Sequence, residues 1–491
     1  MKVRSTLLPA LASAVLLVAS SCSSKDQPAP PTTEQPSTEG TSEAVQPQVL
    51  AAFQELASQA KSDLEAYAQG LASEGEAPLD LSDLEFEIAD VETIQRVLKG
   101  NLQAPLPTNG ERQVNEGLVQ AISHALVGIY DYAKTKRVYI CPTNLENNAR
   151  LLGITDLNEP DAMYAVMLHE GAHAIADRRF GLRDFLAKAM EHDEDAGLAA
   201  DAMVEGYAQY VARQICTKTG KLKGLESFTR SISAIPPVAD ASQRALLELQ
   251  VSQSTFSYTE GERFVQAVAD ALGEPGIQQI FATPPKSRTD VAQPSWYLHP
   301  ETRPQESVDW DPALGLVPGY AVAFPDMHFS LRNLSQPEVE AAVSVLGPAE
   351  AKEMAGLVQH ARMQVGVTPM GERLFVVGLS SMPDAAGAAR YIELSEKSSK
   401  LKDEAMKHQG MAQITSSEMK PIDNALGKGF DSTKIVRFQG QELPVRTILV
   451  AQDNVVIEVT MSNAVIDDGE LMEMIGKVRQ RSLGAAEDSA R

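Results

Sequence analysis

The chain of 491 residues is predicted to be an α+β protein. A mostly helical domain with a small edge sheet comes first, followed by a separate α+β domain built on an antiparallel meander. Three observations carry this. Apolar residues recur at helical spacing through residues 48–115 and again from about residue 160 to 216. Between them, Gly128 to Ile140 reads as a hairpin or edge strand. Beyond about residue 316, β-rich runs alternate with turn pairs. At this length two or three domains are expected.

The N-terminus is read as a targeting segment. Lys2 and Arg4 precede the apolar run Leu7 to Val18, and Ala19-Ser20-Ser21 lead into Cys22. Residues 1–21 are a secretory signal peptide by this pattern. Small residues before a cysteine are similar to a bacterial lipoprotein cleavage site, which implies lipidation of Cys22. By the same resemblance, Ser23 implies sorting to the outer membrane. Residues 22–47 are rich in Ser, Pro, Thr, Glu and Gln, the composition of a disordered tether. No later segment is apolar for long enough to span a bilayer, so the expectation is an exported protein anchored to the cell envelope. With 66 Asp and Glu against 43 Lys and Arg, the net charge is −23. That argues against a nucleic-acid partner, which needs a basic stripe.

Residues 48–115 form a helical N-terminal region, with Val49, Phe53, Leu56, Ala60, Leu64 and Ala68 on one stripe. It is either scaffold for the catalytic part or a pro-region over a cleft. Residues 116–305 carry the chemistry. Asn158-Glu159-Pro160-Asp161 reads as a helix start and Arg178-Arg179-x-Gly181 as a helix stop, with Tyr164, Leu168, Ala172 and Ile175 as the buried stripe between them. On this helix His169 and His173 are one turn apart, so both imidazoles face one point. Glu170 stands beside the first, placed to act as a general base.

A catalytic zinc ion usually has three protein ligands and an open position. Asp177 shares the histidine face but lies about 12 Å farther along the axis, and is read as a supporting or surface acid. His192 falls in a charged run that reads as solvated. Glu205 is the better third ligand. It shares a face with Leu198, Ala202 and Ala208, and a carboxylate set in an apolar face needs a partner such as a metal. Gly206 and Ala208 remove bulk around it, which suits close approach by another helix.

His169-Glu170-x-x-His173 followed by Glu205-Gly206-x-Ala208 resembles the gluzincin zinc peptidases, particularly the peptidase-MA-like group. Tyr258-x-x-Gly261-x-x-Phe264-Val265 and Phe281-Ala282-Thr283-Pro284-Pro285-Lys286-Ser287 are similar to segments found downstream in such families, and the resemblance spans roughly residues 120–300. It implies a zincin-like catalytic domain holding one catalytic Zn2+ on His169, His173 and Glu205, with peptides or proteins as substrates. Glu170 would move the proton as water attacks a peptide carbonyl. Tyr258 would stabilise the oxyanion, with Tyr210 and His299 as reserves. The strand within residues 128–140 is placed to bind an extended peptide by strand addition, or to be an ordinary strand. One departure stands out. Several gluzincins have an aspartate four residues after the glutamate ligand, where this chain has Gln209. A neutral group there weakens support of His169, so a non-catalytic binding or scaffold lipoprotein with a structural or degenerate zinc site remains the alternative.

Cys141 and Cys216 are left over. In an oxidising compartment two spare cysteines commonly pair, and a bridge is expected to brace the site. Pro304, Pro312 and Pro318 mark a boundary before the C-terminal α+β domain, residues 316–491. There Arg373 to Leu379 reads as a strand. Lys434–Phe438, Leu443–Val450 and Val455–Met461 form the meander, with Pro444 at an edge or bulge. Leu471, Met474, Ile475 and Val478 form a closing helix behind Asp467 and Asp468. His328, His360 and His408 are scattered and read as surface residues.

Overall fold

The computed structural model describes residues 47–72, 78–103, 116–190, 194–236, 251, 255–302, 310–320, 327–334, 336–368, 373–407, 412–438, 441–464 and 466–489. The expected signal peptide, Cys22, nearly all of the expected tether, His192 and His408 lie outside the described residues.

Labelling the longer elements in chain order, the first region comprises α1 (Pro47–Gly70), β1 (Phe86–Ile88), α2 (Val91–Gln103), α3 (Glu116–Ala125), β2 (Gly128–Tyr130), β3 (Val138–Ile140) and α4 (Pro142–Leu152). It continues with α5 (Pro160–Phe180), α6 (Leu182–Met190), α7 (Glu194–Thr219), α8 (Leu222–Ser233) and α9 (Gly261–Ala282). The π-helical turn Phe256–Glu260 leads into α9, which kinks at Gly273 ahead of Pro275. The small sheet has the order β1-β3-β2, with β1 parallel and β2 antiparallel to β3. As expected, β2 is an edge.

Helix α5 starts with Pro160, which needs no N–H there, and stops at Gly181, whose left-handed φ of 68° lets its N–H reach the Asp177 carbonyl at 2.8 Å. Its predicted apolar stripe is an underestimate: residues 164–176 are all buried, because α1, α7, α8 and β2 enclose the helix. Helix α1 belongs to this same core. Its Leu64 lies so close over Gly171 that any side chain at 171 would collide with it. The backbones of α7 and α9 also meet directly. A Cβ at Gly206 would overlap the backbone of Gly261, and one at Gly261 would overlap the Ala202 carbonyl.

The second region is a seven-stranded antiparallel sheet of order β4-β5-β6-β10-β9-β8-β7. Its strands are β4 (His328–Asn333), β5 (His360–Val367), β6 (Leu374–Ser381), β7 (Ala412–Asn424), β8 (Gly427–Phe438), β9 (Gln441–Gln452) and β10 (Val455–Ser462). Helices α10 (Gln336–Ala342), α11 (Pro348–Leu357) and α12 (Ala385–Lys407) cover one face, while α13 (Asp468–Ser489) covers the other. Strand alternation divides the cores: Ile448 and Val450 pack toward α13, and Leu449 packs toward the other three helices. Pro444 is on an interior strand, not an edge. It is tolerated because β10 pairs β9 only as far as Val445, so the missing N–H interrupts no ladder bond there.

Arg288 ties the two regions together. Buried just after α9, it bonds Asp195 at 2.9 Å, the Asn333 carbonyl at 3.1 Å, and Glu338. Asn333 in turn donates to Asp195 at 3.0 Å.

The expected disulfide is not formed. Cys141 and Cys216 are both free and buried. Cys141 packs with Ala89, Ile94, Val97, Ile129 and Tyr139, whereas Cys216 belongs to the main helical core. The two thiols are thus embedded in separate apolar clusters, each packed by its own neighbours. Burial pushes both thiols above their ordinary pKa, Cys216 to about 12, so neither is a reactive thiolate.

The backbone contact between α7 and α9 gives a direct test. Gly206→Ala should destabilise the fold by about 1–3 kcal/mol in chemical denaturation, since backbone cannot yield as a side chain can. Gly100→Ala on α2, where an added Cβ meets open space, should be neutral or slightly stabilising. Equal effects of the two would refute the close-approach account.

Candidate metal centre

His169, Glu170 and His173 are buried on α5, and Glu205 faces them from α7. His169 Nε2 is 3.1 Å and His173 Nε2 is 3.7 Å from the same oxygen, Glu205 Oε2. The three residues form the one group of metal-ligating type among the described residues, with donor atoms within 4.8 Å of one another. Tetrahedral ligands at zinc–donor distances of about 2.0–2.1 Å stand about 3.3 Å apart, so the spacing fits a small ion.

A chain of hydrogen bonds sets the protons. Thr229 Oγ1 donates to the Leu225 carbonyl at 2.9 Å, so it accepts from Gln209 Nε2 at 2.6 Å. The amide oxygen of Gln209 therefore faces His169 Nδ1, at 3.1 Å, and Nδ1 carries the proton. In the neutral ring that leaves the Nε2 lone pair pointed at a carboxylate oxygen. Two electron-rich atoms at 3.1 Å need a cation between them or a second proton on the ring. The donor set could hold a metal ion, and the His169 tautomer is the one that ligation requires.

The electrostatics match this arrangement. Burial opposes charge on His169, but the hydrogen bond and charge of Glu205 outweigh it and hold its pKa above the ordinary value. Burial pushes His173 down to about 4. Its Nδ1 is buried without a hydrogen-bond partner. Burial alone would raise Glu205, but the facing imidazoles of His173 and His169 and a hydrogen bond from Tyr258 hold it well below the usual range. Glu170 is pushed up to about 7 by burial, partly offset by His169 and by a hydrogen bond from the Tyr130 N–H. That bond places Glu170 against β2, where a Cβ at Gly128 would stand 2.8 Å from Glu170 Cγ.

The edge strand is thus partly committed. Tyr130 gives its N–H to Glu170, and its carbonyl accepts from buried Asn101 at 2.8 Å. Its hydroxyl donates to Asp177 Oδ2 at 3.0 Å, which also holds Lys136 at 2.6 Å. Asp177 is therefore no ligand. It clamps the β2–β3 hairpin to the end of α5.

Tyr258 does reach the cluster. Its ring stacks on His169 at 5.1 Å between centroids, and its hydroxyl bonds Glu205. Phe228 packs edge-on against the same imidazole at 5.5 Å. The reserve candidates are elsewhere: His299 is exposed beside Glu301, and Tyr210 is coupled to Glu274 and Asp270. One member escaped sequence reading. Asp201, one turn before Glu205, accepts from Ser257 Oγ at 3.0 Å and is pushed upward by burial and the Glu205 charge. Its four-residue spacing from Glu205 was the available signal.

No family model matches the chain, and no curated protein does. Among solved structures it is similar to the "putative hydrolase with a novel fold" from Chloroflexus aurantiacus, at 14% identity and a TM-score of 0.35 over 60% of this chain and 98% of that one. A superposition that loose establishes no shared fold.

The raised Glu170 predicts a pH signature in metal-free protein. Its folded value, about 7, exceeds the ordinary 4.5. Its contribution to stability is therefore complete below about pH 4.5 and is lost as pH rises through 7. Glu170→Gln should match wild type near pH 4 and be more stable at pH 8, by at most about 3 kcal/mol. Thermal melts in chelator across that range check this; a variant no more stable at pH 8 would contradict the buried-carboxyl reading.

Proposed function

We propose that the chain is a zinc-dependent peptidase of the cell envelope, tethered through a lipid on Cys22. The convergence of His169, His173 and Glu205, with the His169 tautomer set by Gln209 and Thr229, is the observation that carries it. In this reading the protein fits the gluzincin pattern implied by its motifs. Zinc held there would supply Lewis acidity and lower the pKa of water to roughly 7.

The remaining steps belong to the chain's own residues. Glu170, held against the Tyr130 N–H, takes a proton from the attacking water at its carboxylate and passes it to the leaving amine. Its burial keeps its affinity for the proton near neutrality, which suits both transfers. Tyr258, neutral because burial and Glu205 hold its pKa well above the ordinary value, supplies an O–H donor for the oxyanion. To do so it must exchange its bond to Glu205 for one to substrate. Tyr130 and Asn101 leave little free edge on β2, so peptide binding relies on Gly128 and the walls of the site more than on extended strand addition.

Glu170→Gln should retain zinc, measured by atomic absorption, while turnover of a peptide library falls about 10²–10⁴-fold. Tyr258→Phe should retain zinc and lose about 10²–10³-fold in turnover. Glu205→Ala should lose zinc and Asp177→Ala should keep it. Stoichiometric zinc with no wild-type turnover would instead favour a structural site in a binding lipoprotein. For the anchor, metabolic labelling with a radiolabelled fatty acid should mark wild type and fail in Cys22→Ala; labelling that persists in the variant refutes the lipid assignment.

A further inference from the structure

Helix α12 packs on the sheet with a face unlike that of an ordinary core helix. Tyr391, Ser395, Ser398, Ser399 and Lys402 recur at helical spacing and line a cavity of about 460 Å³ beneath it. The opposite wall is sheet, with Met363, Val365, Leu374, Val376 and Leu449. Val339, Val343 and Met354 close one side. Interiors normally pack without such voids. Three serines facing a wall of branched and long apolar side chains leave the space unfilled.

The polar groups in this wall are not random. Arg332 is paired with Glu338, and Lys434 with Asp403 at 2.8 Å. Lys402 makes no ion pair or hydrogen bond among the described residues. The opposite charge that acts on it most is Glu458, which lines the same cavity from β10 and accepts from its neighbour Thr460 at 3.3 Å. Ser398 Oγ is buried, lines the cavity and has no partner. A buried hydroxyl without a partner asks for one, and Lys402, with no direct ion pair, has hydrogen-bonding capacity to spare beside it. With Arg332 and Lys434 paired, Lys402 and Glu458 are the charges left facing the space, and Ser398, one turn before Lys402, adds a hydroxyl that no protein group uses.

We propose that this cavity is a binding site for a small amphiphilic carboxylate, with its apolar chain against the sheet and its carboxylate on Lys402 and Ser398. Burial pushes Lys402 down and Glu458 up from their ordinary values, and an anion beside Lys402 would offset that burial. The volume is in the usual range for small-molecule sites. The site lies in the C-terminal domain and is independent of the metal centre.

Decanoate is the probe, titrated calorimetrically into the purified full chain beside decanol and decylamine. Decanoate should bind saturably at one site, with decanol about tenfold weaker, near the value of one charge-assisted hydrogen bond. Lys402→Met, which keeps the stem, should weaken decanoate about tenfold. Ser398→Leu, which fills the void, should abolish binding without lowering the melting temperature. Absence of saturable decanoate binding, binding unchanged in both variants, preference for decylamine, or ordered water alone in a decanoate-soaked crystal would each overturn the proposal.

Discussion

Gathering two imidazoles and three carboxyls inside a helical core is the constraint on which the rest of the first region depends. An unpaired buried charge costs several kcal/mol, so each group must be answered. Gln209 answers His169, the Tyr130 N–H answers Glu170, and Ser257 answers Asp201. Glu205 takes both histidines and Tyr258. The His169–Glu205 contact is closed either by a second proton on His169, whose pKa Glu205 raises, or by a cation between the two.

Backbone approach delivers these groups. Glu205 and Tyr258 meet because Gly206 and Gly261 let α7 and the start of α9 touch without side chains between them. The π-helical turn before Gly261 then rotates Tyr258 over His169 while Ser257 reaches back to Asp201. On the other side, Gly128 lets β2 sit against Glu170, and Asp177 pins that hairpin to α5 through Tyr130 and Lys136. Asp177, too distant to be a ligand, acts on the site through the strand that holds Glu170.

Much of this was legible in local sequence. Pro160 and Gly181 bound the histidine helix, four-residue spacing aligned His169 with His173, and an acid among small residues marked Glu205. Asp467, accepting from the Gly469 N–H at 2.8 Å, opens the closing helix as read. Properties that depend on three-dimensional neighbours were not legible. Full burial of α5 could not be seen because Ala and Gly on its second face suit both exposure and close packing. The cysteines suggested a bridge by number and compartment, but pairing depends on geometry that spacing does not encode. The void beneath α12 is hidden for a related reason: Ser395, Ser398 and Ser399 at helical spacing suit a solvated face as well as a cavity wall.

Gln209 bears most directly on what the centre can do. A carboxylate at that position would orient His169 and also feed negative charge through the imidazole toward the ion. The amide keeps the orientation, through Thr229, and removes the charge. His169 would then be a weaker donor, and an ion held there would rest more heavily on Glu205, the one anionic member of the group. A less neutralised ion is also a stronger Lewis acid. A glutamine at this position, which would loosen a bound metal, would also favour ionisation of water beside it, so it argues against tight structural zinc at least as much as against catalysis.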